Sequence, residues 1–152
     1  MCIVEKEVLY MSKLYTLIGL PASGKSTFCK SHSECVIVST DNIRYELYGN
    51  AEIQDNPKRV FNIAHSRIEK ALSNGKDVIF DATNLTPLSR KNIFNHTNCK
   101  HIAIYFDINV NTCIERNLKR DRIVPIEVIK KMSKRITKPL KSEPFDEVIV
   151  IH

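Results

Sequence analysis

Leu14-Tyr15-Thr16-Leu17-Ile18-Gly19-Leu20-Pro21-Ala22-Ser23-Gly24-Lys25-Ser26 is the stretch on which the reading of this chain turns. Its opening residues are aliphatic, aromatic or β-branched and read as a strand. The rest, from Gly19, matches G-x-x-x-x-G-K-[ST] in full. The glycines let the backbone approach a ligand with no Cβ in the way. The N–H groups of Gly19, Ala22, Ser23, Gly24, Lys25, Ser26 and Thr27 can then form a nest for phosphate oxygens. A helix opening near Gly24 adds its positive end. Lys25 is placed to reach the β- and γ-phosphates of a nucleotide, and the Ser26 hydroxyl to ligate Mg²⁺. The competing reading is a helix N-terminal turn that happens to hold a lysine.

Outward from this loop, further strands are expected at Val36–Ser39, Val78–Phe80, His101–Phe106 and Glu147–Ile151. They are apolar without strict alternation, the pattern of strands covered on both faces of a parallel sheet. Helical periodicity fills the gaps at Pro57–Asn74, Pro87–Thr97, Val110–Lys119 and Pro125–Ile136. Strand–helix alternation of this kind implies an open α/β sheet. No Gly/Ser linker or repeat divides the chain, so residues 1–152 read as a single domain. Residues 1–12 fit an extension, a disordered arm, or residues upstream of a start at Met11.

The chain has 152 residues, 43% of them apolar, enough to bury a core without disulfides or metal. Glu5, Lys6 and Glu7 break any secretory apolar run at the N-terminus. Five cysteines in no metal-binding spacing suggest a reduced, cytoplasmic protein. The net charge is +6, concentrated between Glu115 and Lys141, where ten Lys or Arg face three acids. Such a block suits a polyanionic partner or a solvated helical face.

The strings N-K-x-D and D-x-x-G of guanine-nucleotide switches do not occur, which favours ATP. In open α/β sheets ligands sit beyond the C-terminal ends of the strands. Asp41, just past the second strand, could take the proton of an attacking hydroxyl, or merely cap the next helix. Arg44, one helical turn on, could hold an acceptor phosphate. Asp81, at the end of the third strand, stands where a carboxylate supports Mg²⁺, or in an Asx turn. Thr83 and Asn84 offer short polar groups to the same crevice. Arg116, Arg120 and Arg122 could stabilise charge on transferring phosphates.

Four blocks in order, GLPASGKST, STDNIR, DATNLTPLSRKN and RNLKRDRIVP, resemble the kinase domain of the phage-type polynucleotide 5′-hydroxyl kinase family over residues 14–151. The resemblance implies a P-loop kinase three-layer sandwich, with five parallel strands, helices on both faces and the phosphate-loop strand central. It implies ATP and Mg²⁺ bound through Lys25 and Ser26, Asp41 as general base, Arg44 on the acceptor phosphate and a helical lid at 116–138. Within the lid, Arg120 is implied as the ATP contact, with Arg116 and Arg122 beside it. The implied substrate is a 5′-OH end of DNA or RNA, in nucleic-acid repair. No D-x-D-G-T phosphatase signature accompanies these blocks. A kinase for a nucleoside, sugar or antibiotic would share the loop, the base and the lid. A non-catalytic ATP-binding module would need the loop alone.

Overall fold

The computed structural model describes residues 11–152. Five strands, β1 (Lys13–Ile18), β2 (Val36–Ser39), β3 (Val78–Asp81), β4 (Lys100–Phe106) and β5 (Glu147–Ile151), form one sheet in the order β2-β3-β1-β4-β5. All pairings are parallel. The phosphate-loop strand is central, as the resemblance implies. The expected N-terminal extension falls outside the described residues except for Met11 and Ser12; the Ser12 carbonyl accepts from the Lys100 N–H at 2.8 Å.

Parallel strands need crossovers, and helices supply them on both faces. Against one face, α2 (Thr40–Tyr48) and α3 (Pro57–Ser73) bury Ile43, Val60, Ala64 and Ile68 with Leu14, Val78 and Phe80. Against the other, α1 (Lys25–Ser31) places Cys29 and Phe28 over Leu17, Ile104 and Phe106. Pro57 sits in the first turn of α3, where its missing N–H costs nothing. Among the described residues, no helix is long and apolar enough to cross a membrane.

The helix expected over Pro87–Thr97 divides. One turn, α4 (Pro87–Arg90), is opened by a Thr86/Ser89 capping box, and a 3₁₀ turn (Lys91–Asn95) follows. At the junction of the two sits Arg90. Its guanidinium is fully buried, with Nε and Nη2 donating to Glu143 at 2.6 and 2.7 Å and Nη1 to the Asn84 carbonyl at 2.9 Å. Burial by itself would raise the Glu143 carboxyl, but the Arg90 hydrogen bonds, the Leu140 N–H and the Arg90 charge bring it below the usual carboxylate range.

A buried charge stripped of its partner is strongly destabilising. Glu143→Ala is therefore expected to lower stability by about 3–5 kcal/mol, measured by urea unfolding. Because the Glu143 value is depressed in the folded state, this contribution is full at neutral pH. It is lost as the pH falls through that value. A Glu143→Ala protein that unfolds at the wild-type urea midpoint would disprove the account.

α5 (Val110–Leu118) and α6 (Ile126–Arg135) lie beyond the C-terminal strand ends. Ile129, fully buried, fixes α6. Met132 and Ile136 pack around Leu20, Leu85 and Cys113, tying the helix to the phosphate loop.

Candidate active site

Sheet register decides where the site lies. Ser39 pairs with Asp81, and Thr16 with Phe80, so β2 and β3 end level and β1 runs one residue further, to Ile18. The loops after them line a single cleft of about 1290 Å³, closed on the far side by α5, α6 and the turn between them.

The phosphate loop is held at both ends. The Gly19 N–H donates to the Thr83 carbonyl at 3.2 Å, and the Ser23 N–H to the Leu20 carbonyl at 3.2 Å. A Cβ on Gly19 would lie 2.5 Å from Ser23 Oγ and 3.0 Å from Phe106 Cβ, so only glycine fits. Ala22 and Gly24 both have positive φ, 62° and 110°. For an alanine that conformation is strained, and such strain concentrates at functional sites. Gly24 caps α1 without a side chain, leaving the helix's first N–H groups for a ligand. Ser23 Oγ is buried with no hydrogen-bond partner. An orphan hydroxyl, a nest and an uncapped helix start fit a nucleotide's phosphates.

Lys25 Nζ donates to the carbonyls of Gly19 and Leu20, each at 2.9 Å. Burial lowers its pKa, while Asp81 and Asp41 push the other way. Burial likewise raises the Asp81 carboxyl against the charge of Lys25. Asp81 and the exposed Ser26 hydroxyl line the same part of the cleft. Among the described residues no group of three His, Cys, Asp or Glu could hold a metal alone. This donor set suits Mg²⁺, which takes one or two protein oxygens and completes its shell with phosphates and water.

Asp41 does not cap α2. Ser39 does, accepting the Asn42 N–H on its Oγ at 3.3 Å. Asp41 is left half-exposed in the cleft, with Arg44 Nη1 on Oδ1 at 3.1 Å and Arg122 Nη1 on Oδ2 at 3.2 Å. Arg122, expected with the ATP ligands, is thus paired with Asp41, and its Nε lies 3.8 Å from Glu52. Arg116 and Arg120 line the cleft, and the charge of Arg120 acts on both Lys25 and Asp81.

Asn84, expected to bind the acceptor, lines the cleft and also braces the fold. Its side-chain N–H groups are spent inside the fold, on the Leu17 carbonyl at 2.8 Å and the Ala82 carbonyl at 3.4 Å. With φ of 48° it shapes the loop that leaves Thr83 facing the cleft.

Sequence reasoning missed Arg90, Glu143, Glu52 and Asn117. Asn117 is fully buried and bonds Val124 twice, to its carbonyl at 2.7 Å and from its N–H at 3.0 Å, which fixes the turn carrying Arg120 and Arg122. Its place inside RNLKR was the available signal. Among the described residues Cys29, Cys35, Cys99 and Cys113 are buried and unpaired. Burial pushes the thiols of Cys29, Cys35 and Cys99 up to about 11, which disfavours the reactive thiolate.

A family model described as an AAA domain (AAA_33) matches residues 14–139. The L-seryl-tRNA(Sec) kinase of Methanococcus maripaludis is 32% identical over 137 residues, covering 83% of this chain and 53% of that protein. A protein of Autographa californica nuclear polyhedrosis virus, named as a bifunctional polynucleotide kinase/RNA ligase, is 28% identical, covering 83% of this chain and 21% of that one. This chain thus spans about half of the first relative and a fifth of the second. The fold matches a chain of the Pnkp1/Rnl/Hen1 RNA repair complex with a TM-score of 0.75 at 23% identity, covering 86% of this chain and 45% of that one.

Proposed function

The chain belongs to the AAA domain family (AAA_33), and from that premise we propose that it is an ATP-dependent kinase acting on the 5′-hydroxyl end of DNA or RNA. One observation carries the reading. The Asp41 carboxylate is fixed between Arg44 and Arg122 in the cleft that also holds the loop lysine and Asp81. A phosphate cradle alone serves any ATPase; a carboxylate fixed in the same cleft suits the activation of a hydroxyl.

In this reading the acceptor oxygen forms a bond to the γ-phosphorus, the bond to the β,γ-bridging oxygen breaks, and ADP leaves. Asp41 takes the acceptor's proton. Lys25 and Arg120 hold the charge that develops on the phosphoryl oxygens. Arg116 stands beside them, and Thr83 faces the acceptor. Ser26 and Asp81 are the groups to hold Mg²⁺, which when bound neutralises phosphate charge. The described residues, 11–152, act as one domain, with 116–138 as the lid. The buried, unpaired thiols suit a reducing, cytoplasmic setting, and repair of broken ends is the role this reading carries, in keeping with the fold it shares with a chain of the Pnkp1/Rnl/Hen1 RNA repair complex.

A second acceptor is favoured by the 32% identity with the Methanococcus relative: the seryl hydroxyl of a charged tRNA. Both acceptors are hydroxyls borne on nucleic acid, which the basic 115–141 block suits.

The test uses ATP labelled at the γ-phosphate, Mg²⁺, and three acceptor sets: 5′-OH oligonucleotides as DNA and RNA, seryl-tRNA, and small alcohols including nucleosides and sugars. Label on the oligonucleotides is expected. Label on seryl-tRNA alone moves the acceptor to the second reading. Label on a small alcohol alone, or on nothing while ATP binds, overturns the nucleic-acid reading.

A further inference from the structure

The ten cations between Glu115 and Lys141 sort by type. The four arginines, Arg116, Arg120, Arg122 and Arg135, all line the cleft. The six lysines, Lys119, Lys130, Lys131, Lys134, Lys138 and Lys141, stand outside its lining, and all are exposed. The division has a chemical sense. A guanidinium fork fits one phosphate in a defined geometry, whereas an ammonium is a hydrated point charge that tolerates many. The lysines are also unanswered. Among the described residues none of the six has an ion-pair partner, while Arg67 and Lys100 on other surfaces pair with Glu46 and Glu147.

All of these lysines but Lys119 fall within residues 126–141, where Glu127 is the one acid. A solvated helix end explains little of this. Lys134 sits in the last turn of α6, where the helix dipole favours a cation. Lys130 stands one turn earlier, about 6 Å away along the axis, and such a like-charge pair weakens a helix. Lys138 and Lys141 lie beyond the helix on a segment that is tied down. The Thr137 N–H donates to the Leu85 carbonyl and the Leu140 N–H to Glu143, each at 2.8 Å, and Glu143 is held by the buried Arg90. Fixed cations that repel one another call for an anion outside the chain.

A membrane surface would need apolar side chains beside the charge. Here Ile129 is fully buried, and Met132 and Ile136 pack around Leu20, Leu85 and Cys113. A nucleic-acid backbone needs the charge alone. Position agrees: Arg135, next to Lys134 and one turn from Lys131, lines the cleft, so the lysine face starts at its mouth. We propose that Lys130, Lys131, Lys134, Lys138 and Lys141 form a second contact surface, which holds the phosphodiester backbone of the acceptor strand beyond its reacting nucleotide. This rests on the nucleic-acid reading of the acceptor and extends it. The preferred acceptor is a chain of several nucleotides, held by the cleft at its end and by α6 and the segment after it along its length.

The experiment is fluorescence anisotropy with 3′-labelled, 5′-OH single strands over a range of KCl concentrations. A dinucleotide is compared with a strand of about twelve nucleotides, each as DNA and as RNA. One variant carries Lys130→Gln, Lys134→Gln and Lys138→Gln. A control removes the same charge elsewhere, through Lys58→Gln, Lys70→Gln and Lys76→Gln, all exposed. Wild type is expected to bind the longer strand more tightly. The first variant should lose about tenfold in affinity for that strand, and its salt slope should fall by about 2, at about 0.7 for each phosphate released. Its affinity for the dinucleotide should hold within about twofold, and the control should match wild type as closely, because salt screens distant charges.

Indifference of wild type to strand length overturns the proposal, as does an unchanged salt slope in the first variant. An equal loss in both variants would make net charge the cause, and an equal loss on both strands would place the lysines' effect at the cleft; either result also overturns it. So does binding of phosphatidylserine vesicles with no binding of either strand. Anisotropy needs no turnover, so a protein that grips the longer strand through these lysines yet transfers no phosphate would sink the kinase reading and leave this surface standing.

Discussion

Asp41→Asn is expected to bind ATP as the wild type does and to transfer phosphate about 10²–10⁴-fold more slowly. The substitution keeps the shape and removes the proton acceptor. The fold should tolerate it, because Ser39 rather than Asp41 caps α2. Asp41 is half-exposed, so its ion pairs with Arg44 and Arg122 contribute little to stability, about 0–1 kcal/mol. It also makes no hydrogen bond to the phosphate loop, so the cradle should keep its shape. The measurement is kcat with γ-labelled ATP and the best acceptor, beside a calorimetric Kd for ATP. A normal kcat would remove Asp41 from the chemistry. A lost Kd would show that it serves the nucleotide instead.

Lys25→Ala is expected to lose about 10²–10³-fold or more in kcat/KM, the scale for one preorganised charge aimed at a developing anion. Lys25 donates to the carbonyls of Gly19 and Leu20, and burial holds its pKa down. Phosphate in the cradle would give that ammonium an anionic partner in a site shielded from water, where the attraction is strongest. Alanine leaves the phosphates with backbone dipoles alone. The two lost hydrogen bonds should cost the free protein about 1–3 kcal/mol, so it should still fold. Steady-state kinetics and a thermal melt separate the two effects. Activity within a few-fold of wild type would mean that the loop binds something other than a transferring phosphate.

The two variants differ in a way that discriminates among functions. A non-catalytic ATP-binding module would lose binding with Lys25→Ala and show nothing with Asp41→Asn. A kinase should show both, with the Asp41 effect confined to turnover.

Much of this was legible along the chain. G-x-x-x-x-G-K-S behind an apolar strand specifies its own local geometry, since glycine conformation, the strand before it and the helix after it lie within a few residues of one another. The parallel strands were readable for the same reason: burial on both faces writes itself as short continuous apolar runs. Asp41, Asp81 and the arginines at 116, 120 and 122 could be named because strand ends in such a sheet point at one crevice. What the chain could not state is which groups meet. The register that sets Ser39 beside Asp81 brings together residues 42 positions apart. The Arg90–Glu143 pair spans 53 positions and sits where a helix that periodicity alone extends to Thr97 gives way to a 3₁₀ turn. Arg122 reaches Asp41 across 81 positions, a pairing that no local pattern records. Periodicity and turn chemistry record what a segment does with its own neighbours. An ion pair or an orphan donor in the cleft depends on how far each side chain reaches once the sheet has closed, and only the tertiary structure decides that.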